Sequence, residues 1–562
     1  MRWVIKVLIF ISVLHMNPAL AMGADSSDRD WKADFAAIPI QSRGRTMPID
    51  TLARNLAVEI TGRTRWTGAR SPAALAGRDH LDLLADLLFK PNEMFQEELI
   101  PIEHLSLKSR IGLNPDARYF SPMELMLNDR LHVVSTELQS KMLRDPMYSP
   151  SPDEQALMDA QNRITAISFF VAGNGLAIVP IENTDTFASV GVHQADQSTE
   201  HVQRALLAMQ DAYLNQGDLN AATDSLLAAI IANAPHTQAT RSRVRIELFY
   251  NTHKPWQMAA IASILALLPL AIRKILHSKK ITTIITLLAA LAIAWSAGEQ
   301  ALGLWLRIVI LDRAPVSNTY EALLWMGIVT LTIGIVGQLR SPKSYCLPAG
   351  LIGSLLAILF AMLVPLDSQT NALPAVLRSN YWLVIHVLTI VAAYGALLLT
   401  AVLAHAHLIL CILFRSQPEP NDRLIAHIYR IMQIGALLLT AGTILGGVWA
   451  ADSWGRFWGW DPKETWSLIS IILYFTLLHA RRTEWIHDFG FAVATIVGFV
   501  AIVWTFYGVN YVLASGLHSY GFGTGGGIWL AAWIIAEIVF IQICFVLAPP
   551  DPPGTADHSQ AT

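Results

Sequence analysis

The most informative stretch of this chain is Trp454-Gly455-Arg456-Phe457-Trp458-Gly459-Trp460-Asp461-Pro462-Lys463-Glu464-Thr465-Trp466, which we call the tryptophan loop. It holds four tryptophans within thirteen residues, between two strongly apolar segments. An aromatic girdle at a membrane surface needs no fixed order of residues, whereas this spacing is W-x-x-x-W-x-W-D-x-x-E-x-W. Indole rings stack on flat apolar ligands while their N–H groups donate to polar partners. The pattern therefore predicts a binding surface for a planar ligand at a membrane boundary.

The composition excludes an ordinary soluble protein. Of the 562 residues, 53% are hydrophobic and 15% are charged, and the mean hydropathy is +0.42. Soluble proteins carry about 25% charged residues. Residues 25–255 have the composition of a polar domain, whereas residues 256–548 are almost continuously apolar. The net charge of −3 offers no basic surface, so we expect no nucleic-acid partner.

Apolar segments follow one another after Trp256, each near the length of about 20 residues that a membrane crossing needs. They lie near residues 256–272, 281–305, 320–339, 346–364, 382–413, 430–450, 466–480, 489–512 and 527–548. The predicted fold is therefore an all-α polytopic membrane bundle of about nine transmembrane helices, with an N-terminal signal or anchor and a mixed, largely helical exported domain.

The first residues have the pattern of a secretory signal. Arg2 and Lys6 flank the start of an apolar core from Val7 to Leu14, and Ala-Leu-Ala follows at 19–21. This core is short for a membrane span, although an uncleaved anchor stays open as an alternative. Both alternatives export the residues that follow.

Positive charge clusters in alternate connections of the predicted bundle, which by the positive-inside rule lie on the cytoplasmic side. These connections are Arg273 to Lys280, Arg340 to Lys343, Arg415 to Arg430 and Arg481-Arg482. The same topology places residues 25–255, the tryptophan loop and the loop 513–526 outside. This orientation agrees with an exported N-terminal domain.

The cysteines give no sign of thiol chemistry. Cys346, Cys411 and Cys544 are scattered in or beside apolar segments, and no C-x-x-C occurs. The chain therefore offers neither a thiol-redox pair nor a c-type haem attachment site of its own. We expect all three to be small buried hydrophobic residues.

The tryptophan loop resembles the WWD motif of the haem-handling proteins of cytochrome c maturation, and its D-P-K-E-T-W ending is most similar to the CcsA branch of System II. A shorter stretch, from Ile38 to Arg54, resembles the exported part of CcsB-type partners. The resemblance implies five parts: 1–24 a signal peptide or signal anchor, 25–255 an exported periplasmic CcsB-like domain, 256–280 a connecting transmembrane helix, 281–548 a CcsA-like haem-handling domain, and 549–562 a disordered cytoplasmic tail.

A haem site needs axial ligands, and imidazole is the usual one. The resemblance implies that His386 and His518 ligate haem on the outer side, where the porphyrin lies flat on the clustered indoles, and that His479 receives haem b from inside. No residue is proposed as catalytic. The candidate haem-binding residues are His386, His518, His479, Trp454, Trp458, Trp460, Asp461, Glu464 and Trp466, with the three histidines as iron ligands.

Simpler roles stay open for several of these and neighbouring residues. Asp461 suits the N-cap of a following helix, and Glu464 suits the positive end of its dipole. His405 and His407, two residues apart, cannot share a helical face and are expected to be interfacial or packed. Three basic residues of the outer face suit haem propionates, although contact with lipid headgroups is the explanation we favour. They are Arg313, Arg378 and Arg456.

The resemblance implies cytochrome c maturation in the inner membrane of a bacterium. Haem b moves from the cytoplasmic side to the outer face, where Cys-x-x-Cys-His thiols of apocytochrome c form thioether bonds with it. Whether the chain is itself the synthetase stays open. The expected partners are apocytochrome c, a separate CcsB-like or ResB-like subunit with a second inner ligand, and proteins that keep the acceptor thiols reduced. The alternatives are a CcmC-type haem exporter or chaperone and a haem-bearing quinol oxidoreductase.

Overall fold

The computed structural model describes residues 30–67, 71–145, 148, 150–172, 175–181, 187–189, 197–232, 237–272, 278–314, 316–342, 344–364, 381–413, 419–513 and 526–547. The predicted signal and the predicted C-terminal tail lie outside these residues. The chain divides into two compact units. We call the described residues from 30 to 253 the N-terminal unit and the described residues from 254 to 547 the membrane unit.

The N-terminal unit is mostly helical, with two small antiparallel sheets. Its helices are α1 (Trp31–Ala36), α2 (Ile49–Thr61), α3 (His80–Phe89), α4 (Pro91–Met94), α5 (Leu105–Ile111), α6 (Pro122–Met126), α7 (Asp129–Arg144), α8 (Pro152–Val171), α9 (Gln197–Leu214), α10 (Leu219–Ala232) and α11 (Thr237–His253). Its strands are β1 (Pro39–Ser42), β2 (Arg45–Pro48), β3 (Ile100–Pro101), β4 (Tyr119–Phe120), β5 (Ala177–Pro180) and β6 (Phe187–Ser189). The first sheet has the order β2-β1-β5-β6, and β3 pairs with β4.

The stretch that resembles CcsB-type proteins forms the β1–β2 hairpin and the start of α2. The turn at Arg43 and Gly44 has both residues at positive φ, as a tight two-residue hairpin needs. Beyond it, Arg45 donates two hydrogen bonds to the carboxylate of Glu247 on α11, at 2.8 and 2.6 Å. Thr51 donates to the same carboxylate at 2.7 Å. This stretch therefore fastens α11 to the core of the N-terminal unit.

The membrane unit is a bundle of long apolar helices. They are α12 (Pro255–Ile272), α13 (Lys279–Leu311), α14 (Thr319–Arg340), α15 (Cys346–Leu363), α16 (Tyr381–Leu413), α17 (Glu419–Trp454), α18 (Pro462–Arg482), α19 (Asp488–Val503), a π-helical continuation of α19 (Trp504–Leu513), and α20 (Gly526–Leu547). In the described part of the chain, eight helices are long and apolar enough to cross a membrane. The predicted all-α polytopic fold is confirmed.

Helix α18 corresponds to the predicted segment 466–480 and is not among those eight. It has charged residues at both ends, Lys463 and Glu464 at the start and Arg481 and Arg482 at the finish. It packs against α17 and α19 within the bundle. The shortest of the predicted spans is thus a helix with charged residues at both ends.

Small residues let the central helices approach closely. On α17, a Cβ added to Gly442 would come within 2.8 Å of the Ile390 side chain on α16. One turn later, a Cβ added to Gly446 would come within 2.7 Å of the His386 imidazole. Such small-xxx-small spacing is common where two membrane helices pack closely, because small residues let their backbones approach each other. The close contact between α16 and α17, which we call the α16–α17 seam, thereby sets the position of the His386 ring.

The cysteines behave much as predicted. Cys346 and Cys544 are fully buried, and Cys411 is half-buried. The Cys411 sulfur lies 3.6 Å from Nε2 of His407, a buried residue of the same helix. None of the three forms a disulfide.

Candidate functional site

The tryptophan loop joins α17 to α18 and is built around a helix cap. Gly455 follows the last residue of α17 at φ +71°, where the chain reverses direction. Asp461 then accepts the backbone N–H of Lys463 at 2.9 Å as the N-cap of α18. The Glu464 carboxylate reaches back to the N–H groups of Gly459 at 2.7 Å and Asp461 at 3.2 Å. The two acidic side chains therefore hold the loop backbone, which is the simpler of the roles considered for them.

The indole rings do not form one flat surface, contrary to the expectation of a porphyrin lying on all of them. The rings of Trp458 and Trp460 are 5.9 Å apart and nearly perpendicular, at 89°. Trp454 instead contacts Trp449 at 4.6 Å, and Trp466 lies against an indole of the π-helical segment at 5.7 Å. Trp460 is 69% exposed. A planar ligand can lie parallel to only one of the perpendicular pair, and the exposed Trp460 has the more accessible face.

His386 lies in the first turns of α16, with its ring fixed by the backbone of α17. Its Nδ1 is 2.7 Å from the carbonyl oxygen of Gly442. Because a carbonyl only accepts, Nδ1 carries the hydrogen, and the lone pair of the neutral ring is at Nε2. This is the arrangement that orients a histidine as a metal ligand through its other nitrogen.

Adjacent glycines of α17 bring this histidine and the tryptophan loop together. Gly446 faces the His386 ring, and Gly447 faces the ring of Phe457, so that an added Cβ would lie 2.6 Å from the Phe457 ring. The His386 imidazole and the aromatic loop thus meet over one turn of α17. Sequence reasoning missed these glycines, although the spacing of Gly442 and Gly446 carries the small-xxx-small signal.

The other two predicted ligands lie elsewhere. His518 falls outside the described residues. His479 lies near the end of α18, seventeen residues after Pro462, which at 1.5 Å per residue is roughly 25 Å along the helix from the tryptophan loop. It is exposed, and its ring lies 5.9 Å from that of Trp485. The structure therefore separates His479 from the site at His386.

A polar contact beneath the tryptophan loop was not predicted from the sequence. The ammonium group of Lys463 donates to the side-chain oxygen of Asn510 at 2.9 Å. Asn510 is buried in the π-helical segment, and the neighbouring Tyr511 hydroxyl lies 3.2 Å from that of Thr319 on α14. Helices α18, α19 and α14 are thereby joined below the loop. π-helical stretches are rare and occur frequently at functional sites.

Two of the three basic residues that were predicted to lie on the outer face, Arg313 and Arg456, are engaged within the protein. Arg307 and Glu321 form a fully buried ion pair at 2.7 Å, and Arg313 lies 3.9 Å from the same carboxylate. The Arg456 guanidinium fills the space beside Gly459 within the tryptophan loop. Arg313 is only 17% exposed, so headgroup contact, the explanation favoured from the sequence, does not describe its place in the structure. Arg378 lies outside the described residues.

The histidine pair in the last third of α16 is packed, as expected. His405 lies 2.9 Å from the carboxylate of Glu537 on α20 and stacks on Phe540. His407 is 1% exposed. Neither is near the tryptophan loop in the chain. The two have different partners, since His405 contacts Glu537 and His407 contacts Cys411.

Together these features define a multi-pass membrane protein in which an oriented imidazole adjoins a tryptophan-rich loop. The family model described as Cytochrome C assembly protein matches residues 316–518, which include the tryptophan loop and all three predicted ligands. The CcsA protein of Mesostigma viride is 36% identical over 278 residues, covering 43% of this chain and 88% of that protein. CcsA of Synechococcus sp. (strain CC9902) is 31% identical over 294 residues, covering 47% of this chain and 94% of its own.

The chain belongs to the CcsA family of cytochrome c biogenesis proteins. This confirms the family predicted from the tryptophan loop, and membership implies the handling of haem. Similarity also extends beyond the membrane unit. Protein NrfI of Wolinella succinogenes is 28% identical over 516 residues, which is 87% of this chain and 54% of NrfI. The chain thus spans about half the length of that relative.

Proposed function

We propose that this protein carries haem b across a bacterial inner membrane and holds it at the outer face for covalent attachment to apocytochrome c. The observation that carries the proposal is the His386 ring, whose Nδ1 is bound to the Gly442 carbonyl 2.7 Å away, beside the tryptophan loop. A neutral imidazole that ligates iron through Nε2, with Nδ1 bound to a carbonyl, is the form that haem ligation requires. The N-terminal unit lies in the periplasm in this proposal.

At the outer face, His386 and His518 ligate the iron from opposite sides. Trp460, the exposed member of the perpendicular pair, stacks its face on the porphyrin. Asp461 and Glu464 fix the backbone of the loop through the capping box. Two axial ligands occupy the iron until the histidine of the substrate Cys-x-x-Cys-His sequence displaces one. The haem is the substrate here rather than a resident cofactor.

The attachment itself needs no redox partner within the site. Each substrate thiol adds across a vinyl C=C bond, so that sulfur bonds to one carbon and the proton goes to the other. Asp461 and Glu464 are occupied with backbone N–H groups and supply no proton in this scheme. What the protein contributes is position and the exclusion of competing reactions.

Three kinds of partner complete the proposal. A separate CcsB-like or ResB-like subunit supplies a second ligand to haem at His479 on the cytoplasmic side. Thiol-reducing proteins keep the acceptor cysteines reduced, since the cysteines of this chain form no redox pair. Apocytochrome c is the acceptor.

The test is co-expression with a Cys-x-x-Cys-His acceptor, and with the companion subunit, in cells that lack other maturation systems. We expect covalent haem on the acceptor with the unaltered chain and a loss of at least tenfold with His386→Ala. His427→Ala is the matched control, because His427 also lies on a membrane helix with Nδ1 on a backbone carbonyl, at 2.6 Å. Equal yields from the two variants would contradict the proposal.

The same experiment separates the alternative functions. Haem on the purified protein without covalent haem on the acceptor would identify a CcmC-type exporter or chaperone. Oxidation of quinol by the haem-loaded protein would identify a quinol oxidoreductase. Both outcomes would overturn the synthetase part of the proposal.

A further inference from the structure

The turn after α18 holds a tryptophan outward beside His479. Trp485 is 76% exposed and lies three residues after the last residue of α18, Arg482. Its ring lies 5.9 Å from the His479 ring, with the two planes at 81°. Tryptophans at membrane surfaces often serve only as anchors, so exposure alone would assign no further role. The perpendicular contact with an imidazole is what requires explanation.

The backbone around Trp485 is fixed. The N–H of Trp485 donates to the carbonyl of Ala480 at 2.9 Å. The guanidinium of Arg481 donates to the carbonyl of Ile486 at 3.3 Å and pairs with Asp488, the first residue of α19, at 2.5 Å. These contacts tie the turn to the ends of both helices. The indole is therefore presented by an ordered turn.

The angle between the His479 and Trp485 rings is the angle expected when both contact the same face of one porphyrin. An imidazole that ligates iron stands with its plane perpendicular to the porphyrin, because the iron–nitrogen bond lies in the imidazole plane. An indole that stacks on the same face lies parallel to the porphyrin. A ligating imidazole and a stacked indole on one face are thus perpendicular to each other, and their centres are separated sideways by no more than the reach of the macrocycle. His479 and Trp485 meet both conditions.

We propose that Trp485 is the stacking surface of the inner haem site, so that His479 ligates the iron while the indole supports the same face of the porphyrin. The proposal rests on the proposed function and adds a residue outside the tryptophan loop to the haem path. Trp485 is a positioning residue here, because it contacts the porphyrin without bonding to iron. The opposite face stays open for a ligand from the companion subunit.

The test uses the full chain in lipid nanodiscs with His386→Ala in every variant, so that the outer site does not contribute. Haemin is titrated, and its dissociation constant is read from the Soret band. We expect His479→Ala to abolish the band, Trp485→Ala to weaken binding about tenfold, and Trp485→Phe to retain most of it, since a phenyl ring still stacks. Trp305→Ala is the control, since Trp305 is also exposed on a membrane helix, at 42%.

Equal affinity of the Trp485→Ala and Trp305→Ala proteins would overturn this inference and leave the proposed function standing. It would mean that Trp485 is a membrane anchor only. Absence of binding in the His386→Ala protein, when the unaltered chain binds haemin, would also overturn it, because no inner site would then exist. Absence of binding by the unaltered chain would instead overturn the proposed function.

Discussion

At the scale of single residues, the account depends on one imidazole and its surroundings. His386 was predicted from its place at the outer start of a span, and its neighbours were not. That Nδ1 would meet the Gly442 carbonyl depends on how α16 packs against α17, which no local pattern encodes. The cap at Asp461 was predictable, because Asp before Pro at a helix start follows from local backbone chemistry.

Gly446→Ala tests the packing of the ligand. The added Cβ would lie 2.7 Å from Cε1 and 2.9 Å from Nδ1 of His386, so the ring must shift away from the Gly442 carbonyl. We expect haem bound at the outer site to fall at least tenfold, measured as haem content after haemin titration of the purified protein with His479→Ala in every variant, so that the inner site does not contribute. Gly490→Ala is the control, because nothing lies within 4 Å of a Cβ at that helical position. Similar haem contents of the Gly446→Ala and Gly490→Ala proteins would show that the α16–α17 seam does not hold His386 in place as a ligand.

Two substitutions at Asp461 distinguish a cap from a charged contact with haem. Asn caps helices about as well as Asp, whereas Ala costs about 1 kcal/mol. We therefore expect Asp461→Asn to keep both thermal stability and haem content, and Asp461→Ala to lower both. Differential scanning calorimetry with haem quantification gives the two readings. If Asn proved as damaging as Ala to haem content, the carboxylate charge itself would be required.

At the scale of elements, apolar length predicted the long helices well, and polar contacts between helices escaped prediction. The short segment at 466–480 became α18 with charged ends, and the span at 489–512 became α19 followed by a π-helical segment. A π-helix has no distinctive hydrophobic period. The contact of its Asn510 with Lys463, on another helix, has no local sequence signal either.

That contact predicts a specific pattern in a double-mutant cycle. Asn510→Ala leaves the Lys463 ammonium without its 2.9 Å acceptor, at a cost of about 1–3 kcal/mol. Replacing both partners by apolar residues, as in Lys463→Met with Asn510→Leu, is expected to recover most of that loss. Thermal unfolding in detergent measures all variants. Additive losses in the double variant would mean that the two residues do not interact.

At the scale of the whole molecule, composition predicted the polytopic fold because apolar length is a direct requirement of the bilayer. The haem chemistry depended on the resemblance, since tryptophan spacing alone indicates only a planar ligand. The division into parts and the orientation across the membrane stay predictions. The polar interior of the N-terminal unit had no sequence signal, because it joins residues some 200 positions apart, such as Asp50 and Asn251.

The same interior predicts how the N-terminal unit responds to acid. Burial raises the pKa of Asp50, but hydrogen bonds from His80 and Arg54 outweigh burial and hold that pKa well below its ordinary value near 3.9. The ionised carboxylate therefore stabilises the fold above about pH 4, and this contribution is lost as the pH falls below that value.

Urea unfolding of the N-terminal unit within the full chain, followed by hydrogen exchange between pH 3 and pH 6, measures the effect. We expect the protection of α2 and α3 to fall on acidification, and Asp50→Asn to be less stable at pH 6 with a weaker dependence on pH. Glu59→Gln is a control, since its carboxylate is partly exposed and pairs with Arg43 at the surface. Identical pH profiles for the unaltered chain and Asp50→Asn would refute this role.

The most direct measurement is the absorption spectrum of the protein purified with its companion subunit from haem-replete cells, compared with that of His386→Ala in the presence and absence of imidazole. We predict a low-spin haem spectrum for the unaltered protein, a weaker one for His386→Ala, in which only the inner site at His479 holds haem, and a return of the lost intensity when imidazole takes the place of the missing ring. Two results would contradict haem ligation at this site. One is an unaltered protein without colour, and the other is a His386→Ala protein whose haem spectrum equals that of the unaltered protein.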